Sequence, residues 1–222
     1  MFAFLISLLS IVGNVLTIYI LRSQTKYSQQ IRIYQIQLAI SHIVAPVAGY
    51  WMLIASSLKG TWLFGEIGCK FYGFLQGFCA FFSILVVAAI AINRATRLKA
   101  ISTSNSTETI RNSIILWIFT FALIAPPLFG LNRFVIEGLG TTCSIDLHPV
   151  DVAARAYIIF ILFFGFIFPL FIIFFSYRRV CLVLFESALF RQQTKVHGRL
   201  ESSGEIDLIN SQLDLMRALL RR

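Results

Sequence analysis

Charge is what this chain has least of. Only 13% of its 222 residues are Asp, Glu, Lys or Arg, while 58% are apolar; soluble domains carry about 25% charged residues. A water-soluble globule is therefore not expected. Catalytic signatures are missing as well: there is no Gly-rich phosphate loop, no His-Glu-x-x-His, no Gly-x-Ser-x-Gly and no pair of carboxylates within an apolar stretch, so the reading is not an enzyme. The alternation over about ten residues that marks membrane β-strands is absent, and no internal repeat or low-complexity linker interrupts the chain. Acids are the scarcer sign, 10 against 19 Lys and Arg, which leaves +9. A basic excess in an apolar chain points either to nucleic acid or to membrane orientation.

What is abundant is phenylalanine, 22 residues, and long apolar runs. Five runs are long enough to cross a hydrocarbon core as helices, at 2–21, 36–58, 71–92, 114–131 and 156–177. The first has no preceding basic residue and no small-x-small cleavage site, so it reads as a retained helix and not a secretion signal. With the N-terminus outside, the segments 22–35, 93–113 and 178–222 face the cytoplasm, and the whole +9 falls on them. The outer segments balance, with Lys59, Lys70, Arg133 and Arg155 against Glu66, Glu137, Asp146 and Asp151. Alternate loops sharing one sign is an orientation signal, so no nucleic-acid partner is expected and the lipid bilayer is. The expected location is the plasma membrane, multi-pass, with an extracellular N-terminus.

The tail beyond Arg178 is polar. Ser202-Ser203-Gly204-Glu205 forms a capping-box pattern ahead of Ile206, Ile209, Leu213, Met216 and Leu220, whose spacing predicts an amphipathic helix on the bilayer or against its neighbours. Within the runs, polar residues face other protein more often than lipid. Asn14 is expected to make an interhelical hydrogen bond and His42 to be a neutral ring bonded to a neighbouring helix, with no metal site. Arg94, at the inner end of the third run, reads by itself as a snorkelling anchor. Cys69 and Cys143 both face the oxidising side; a bridge between them would pin the long outer loop and close about 75 residues, worth roughly 4 kcal/mol. Cys79 and Cys181 are expected to be free. Asn105-Ser106-Thr107 matches a glycosylation sequon on the cytoplasmic side, where it stays unmodified.

Taken together, Gly13-Asn14-Val15-Leu16, Leu38-Ala39-x-x-His42, the 25-residue interval from Cys69 to Arg94, Trp117, Phe168-Pro169 and Tyr177 resemble the rhodopsin-like G-protein-coupled receptors. Ala125-Pro126-Pro127-Leu128-Phe129-Gly130, Glu137-Gly138 and Cys143-Ser144-Ile145-Asp146 are similar to the opsin fourth helix and plug loop. The run from Trp62 to Phe74 resembles the approach to helix three in invertebrate-type opsins. The resemblance implies an all-α membrane protein with five transmembrane helices of a seven-helix bundle. It covers residues 1–185 as a partial receptor domain, followed by a cytoplasmic third-loop region over 186–222. Helices six and seven, and with them the lysine that holds retinal, are not in the sequence, so a truncated receptor is expected.

The resemblance also implies roles. Tyr72 stands where vertebrate visual opsins carry the counterion, and Glu137 matches the plug-loop counterion of other opsins or is a solvent-facing loop acid. Tyr72, Ala80 and Phe166 would line a ligand pocket. Asn93, Arg94 and Tyr177 belong to the coupling face for a heterotrimeric G protein, while Asn14, His42, Trp117 and Pro169 serve helix packing. Asn93 stands where the family has an acid, which implies a weaker off-state restraint and raised basal coupling in a completed receptor. His42 replaces the acid that coordinates sodium in many relatives. The function implied is opsin-like sensing of light through retinal, or of a related small-molecule ligand, with signalling to a G protein. A chemosensory or peptide receptor without retinal and a nonsignalling membrane subunit are the alternatives.

Overall fold

The computed structural model describes residues 2–23, 28–97 and 106–200, which are mostly helical, with one short hairpin and the turns between elements. Five helical stretches are long and apolar enough to cross a membrane: Ala3–Ser23, Gln29–Lys59, Gly65–Arg97, Thr107–Ile124 and Val152–Phe190. The chain is thus a multi-pass membrane protein. It divides into two units between Ser176 and Tyr177. The first holds the bundle; in the second, helix is described as far as Leu200.

The first helix, α1 (Phe2–Ser23), leaves Leu5, Leu8, Leu9, Val12 and Leu16 exposed. In a bilayer these side chains meet acyl chains, and the helix keeps its backbone bonds internal. The next helix, α2 (Gln29–Ala45), begins seven residues before the apolar run expected from 36. Ser28 caps it, its hydroxyl accepting the Ile31 N–H at 3.5 Å. Polar Gln29, Gln30 and Arg32 are therefore helix, not loop.

Pro46 opens a π-turn, Pro46–Tyr50, that leads into α3 (Trp51–Lys59). A proline carries no N–H for the carbonyl four residues earlier, which here belongs to His42. The Ser10 hydroxyl of α1 donates to that carbonyl at 2.9 Å. Beside it, the Gln76 amide donates to the Ala45 carbonyl at 3.0 Å. Gly49 makes room for this approach, since a Cβ there would overlap the Gln76 side chain.

The longest helix within the first unit is α4 (Gly65–Arg97), which packs against α2, against α5 (Ser106–Ile124) and against the hairpin. Its Phe82 and Val86 are fully buried. The α5 helix stops at Ile124, short of the expected 131, because Pro126 and Pro127 turn the chain into a 3-10 segment, Pro126–Phe129. Pro127 deprives the Leu123 carbonyl of its helical donor, and the Tyr157 hydroxyl supplies one at 2.7 Å in a buried bond.

Two strands follow, β1 (Phe134–Glu137) and β2 (Thr142–Ile145), antiparallel, with Glu137 opposite Thr142 and Ile136 opposite Cys143. Gly138 and Gly140 take positive φ in the turn between them. Asp151 caps α6 (Val152–Leu162), accepting from the Ala154 N–H at 3.0 Å. A π-turn, Phe163–Ile167, joins it to α7 (Phe168–Leu200), which runs on past the expected end at Tyr177. The capping box at Ser202 with its amphipathic helix, and Asn105 of the sequon, lie outside the described residues.

Candidate functional site

The plug hairpin defines one end of the bundle. Cys69 of α4 and Cys143 of β2 are joined by a disulfide, with Cα atoms 5.3 Å apart and a sequence separation of 74. The bond lies in a buried cluster with Met52, Trp62, Tyr72 and Phe134. Trp62 donates its indole N–H to the Gly65 carbonyl at 2.9 Å, and its ring meets Tyr72 edge-on at 5.4 Å. Phe134 lies against Gly73, where any Cβ would overlap its ring. An absent side chain on α4 thus lets β1 settle close to the helix.

Strand alternation puts Ile136 and Cys143 on one face of the hairpin, and Glu137, Thr142 and Ser144 on the other. The Ser144 hydroxyl donates to Glu137 Oε1, and the Thr142 hydroxyl donates to Glu137 Oε2 at 3.4 Å. The carboxylate is exposed, yet both its oxygens are held, and it lies within electrostatic reach of Tyr72. A held carboxylate of this kind can stabilise a positive charge on a ligand.

Of the residues expected to line a pocket, Tyr72 is buried in the disulfide-end cluster, whereas Ala80 and Phe166 lie exposed on α4 and in the second π-turn. A cavity of about 350 Å³ lies elsewhere, between α1 and α2, lined by Asn14, Thr17, Leu21, Gln35 and Leu38. Gln35 Oε1 is buried without a hydrogen-bond partner among the described residues.

The packing residues divide. Trp117 stacks obliquely on Phe82 at 4.4 Å and Phe78 at 5.4 Å, and Pro169 is fully buried. Among the described residues the Asn14 amide bonds within its own helix, donating to the Ser10 carbonyl at 2.7 Å. An asparagine with a carbonyl one turn back can bond it without leaving the helix. His42 also departs from expectation. Its ring makes no hydrogen bond among the described residues, and its backbone carbonyl is the group tied to the neighbouring helix. Cys79, buried, and Cys181, exposed, are free thiols.

At the opposite, basic end, Arg94 is exposed and Asn93 half-buried. Asn93 donates its amide to Gln30 Oε1 at 2.8 Å, and Arg97 Nε donates to the same oxygen at 3.2 Å. Sequence reasoning missed Gln30 and Arg97 as partners. Nothing in the local pattern links Gln30 to a residue 63 positions away. Tyr177 belongs to the second unit.

The family profile described as 7 transmembrane receptor (rhodopsin family) matches residues 13–210. A Gq-coupled rhodopsin of Mizuhopecten yessoensis is 30% identical over 197 residues, covering 86% of this chain and 38% of that protein. Melanopsin of Mus musculus is 33% identical over 177 residues, covering 78% of this chain and 34% of that protein. The crystal structure of squid rhodopsin superposes with a TM-score of 0.78 at 26% identity, covering 89% of this chain and 54% of that one. The chain therefore spans roughly a third to a half of the length of these relatives.

Proposed function

Because the chain belongs to the rhodopsin family of seven-transmembrane receptors, we propose that it is the sensing portion of an opsin-like G-protein-coupled receptor. The disulfide end faces outside and receives the ligand or chromophore; the basic end faces the cytoplasm of a plasma-membrane cell and meets a heterotrimeric G protein. The observation that carries this reading is the plug hairpin: a disulfide pins it to α4, and its far face presents Glu137 with both oxygens held by hydroxyls. The hydroxyls fix the carboxylate's position, and the strand pairing fixes theirs. The charge split between the two ends supports the orientation, and Asn93, Arg94 and Tyr177 are the residues assigned to coupling. The match to a Gq-coupled rhodopsin supports the same G-protein class.

A retinal imine would need a lysine amine facing such a carboxylate. Lys59 and Lys70 stand at the ends of α3 and near the start of α4, and Lys70 is paired with Glu66 at 2.6 Å. Among the described residues no lysine is ion-paired with Glu137. The Glu137 carboxylate, with both oxygens held by hydroxyls, also fits, as the second reading, a receptor for a small cationic ligand bound without a covalent bond.

One experiment separates the readings. The transcript is read beyond Arg222, and its full product is expressed with 11-cis-retinal while nucleotide exchange on Gq is followed in light and darkness. A light-dependent response that Glu137→Gln weakens supports the opsin reading. Two further spans without a lysine, and no light response, support the chemosensor. An in-frame stop with no nucleotide exchange under any condition refutes both and leaves a nonsignalling subunit.

A further inference from the structure

Donors from two side chains converge on one buried oxygen at the basic end. Gln30 lies in the first turn of α2 and is only 3% exposed. Its Oε1 accepts from Asn93 Nδ2 at 2.8 Å, from Arg97 Nε at 3.2 Å and from a terminal guanidinium nitrogen of Arg97. Asn93 and Arg97 are four residues apart, so they share one face of α4. Bonds from a guanidinium are charge-assisted and stronger than neutral ones. An arginine at a span end ordinarily extends its head toward the interface, whereas Arg97 is spent on a buried amide. Asn93 Oδ1 is buried with no partner among the described residues, so the described tie of this amide is its bond to Gln30.

We propose that Gln30 is a positioning residue, a neutral clamp that holds the basic end of α4 against α2 through Asn93 and Arg97. Resting on the receptor reading above, the clamp fixes the adjoining Arg94 segment in its uncoupled arrangement. An ionised acid at position 93 could not donate to Gln30 Oε1 and would face it with a second acceptor. The asparagine can donate, and so α4 is tied to α2 by an amide pair. Release of Oε1 frees both donors at once, which makes the single glutamine the point of control.

The test uses the full chain in lipid nanodiscs, with hydrogen exchange read on peptides spanning residues 89–97. Gln30→Leu removes the acceptor, and Gln30→Glu keeps it. The expected result is exchange about tenfold faster for Gln30→Leu and wild-type or slower exchange for Gln30→Glu. Exchange around Cys69 and Cys143 should be unchanged, which shows that the bundle has not unfolded. If Gln30→Leu does unfold it, Asn93→Ala takes its place and should give a smaller, local rise. Wild-type exchange in Gln30→Leu, or in Asn93→Ala where that replaces it, overturns the clamp. Equal loosening in the leucine and glutamate variants also overturns it, because Gln30 would then be packing alone. Basal nucleotide exchange on Gq is measured on the full transcript product carrying the same substitutions and should rise several-fold with Gln30→Leu. If hydrogen exchange responds as expected but no sample, wild type included, activates the G protein, the clamp stands and the receptor reading fails.

Discussion

The bond from Ser10 to the His42 carbonyl gives the sharpest test of how this bundle is assembled. Pro46 removes that carbonyl's usual helical donor four residues on, and the hydroxyl from α1 reaches it at 2.9 Å. Ser10→Ala should therefore strand an acceptor at membrane depth, where water cannot replace the lost partner. An unsatisfied buried group costs about 1–3 kcal/mol in soluble proteins, but hydrogen bonds between membrane helices average nearer 0.6 kcal/mol and reach about 1.7. The site is part-buried, so the expected cost is about 1 kcal/mol. Pro46→Ala returns an N–H to the helix, in a backbone that is already right-handed helical at that residue. The serine should then matter much less. In a double-mutant cycle, read by denaturant titration in mixed micelles with tryptophan fluorescence, Ser10→Ala should cost about 1 kcal/mol with the proline and close to nothing in the Pro46→Ala background. A coupling smaller than about 0.3 kcal/mol, the usual scatter of independent sites, would refute the reasoning.

The same logic predicts that Tyr157→Phe destabilises by about 1–2 kcal/mol, since the hydroxyl bonded to Leu123 is fully buried; the titration that serves Ser10 measures it, and an unchanged midpoint would count against it. Cys69→Ser and Cys143→Ser should lower surface expression equally, each losing about 4 kcal/mol from a closed loop of 74 residues. Surface labelling decides this, and a defect in only one of them would show that the bond is not what retains the fold.

Much of the architecture is legible because a span needs length and hydrophobicity, and both can be counted. The counting fails where another force sets the boundary. Residues 29–35 look like loop because Gln29, Gln30, Arg32 and Gln35 interrupt the apolar pattern, yet a helix capped at Ser28 includes them, with Gln30 and Tyr34 buried. The fourth run looks apolar to 131, but Pro126 and Pro127 end its helix whatever their hydrophobicity. The cysteine partners are legible because compartment narrows the choice. Glu137 is legible as a charge on the plug loop, while its hydroxyl partners depend on strand register, which four-residue strands scarcely signal. Asn14 and His42 mislead in the same way: a polar residue in a span signals that something is bonded, not which atom does the bonding. The interhelical tie at this level is the bond from the hydroxyl of Ser10, four residues before Asn14, to the His42 carbonyl.

The ties between helices described above end on neutral acceptors. Ser10 and Tyr157 donate to carbonyls that prolines have orphaned, Gln76 donates to Ala45, and Asn93 and Arg97 donate to an amide oxygen. Carboxylates appear in ion pairs within one helix, Glu66 with Lys70 and Glu108 with Arg111, or within the loop, Arg133 with Asp146. The distinction has a consequence for motion. Separating a buried ion pair leaves uncompensated charge and costs several kcal/mol, whereas exchanging one neutral hydrogen bond for another in a membrane costs far less. A bundle joined by neutral bonds can hold two arrangements only a few kcal/mol apart, which a ligand's differential affinity is able to reverse. Proline makes such exchange easier still, because each orphaned carbonyl is an acceptor waiting at a fixed place for whichever neighbouring donor approaches. Arg97 is the charged member of this set, so its charge-assisted bond to Gln30 costs more to exchange than a neutral one.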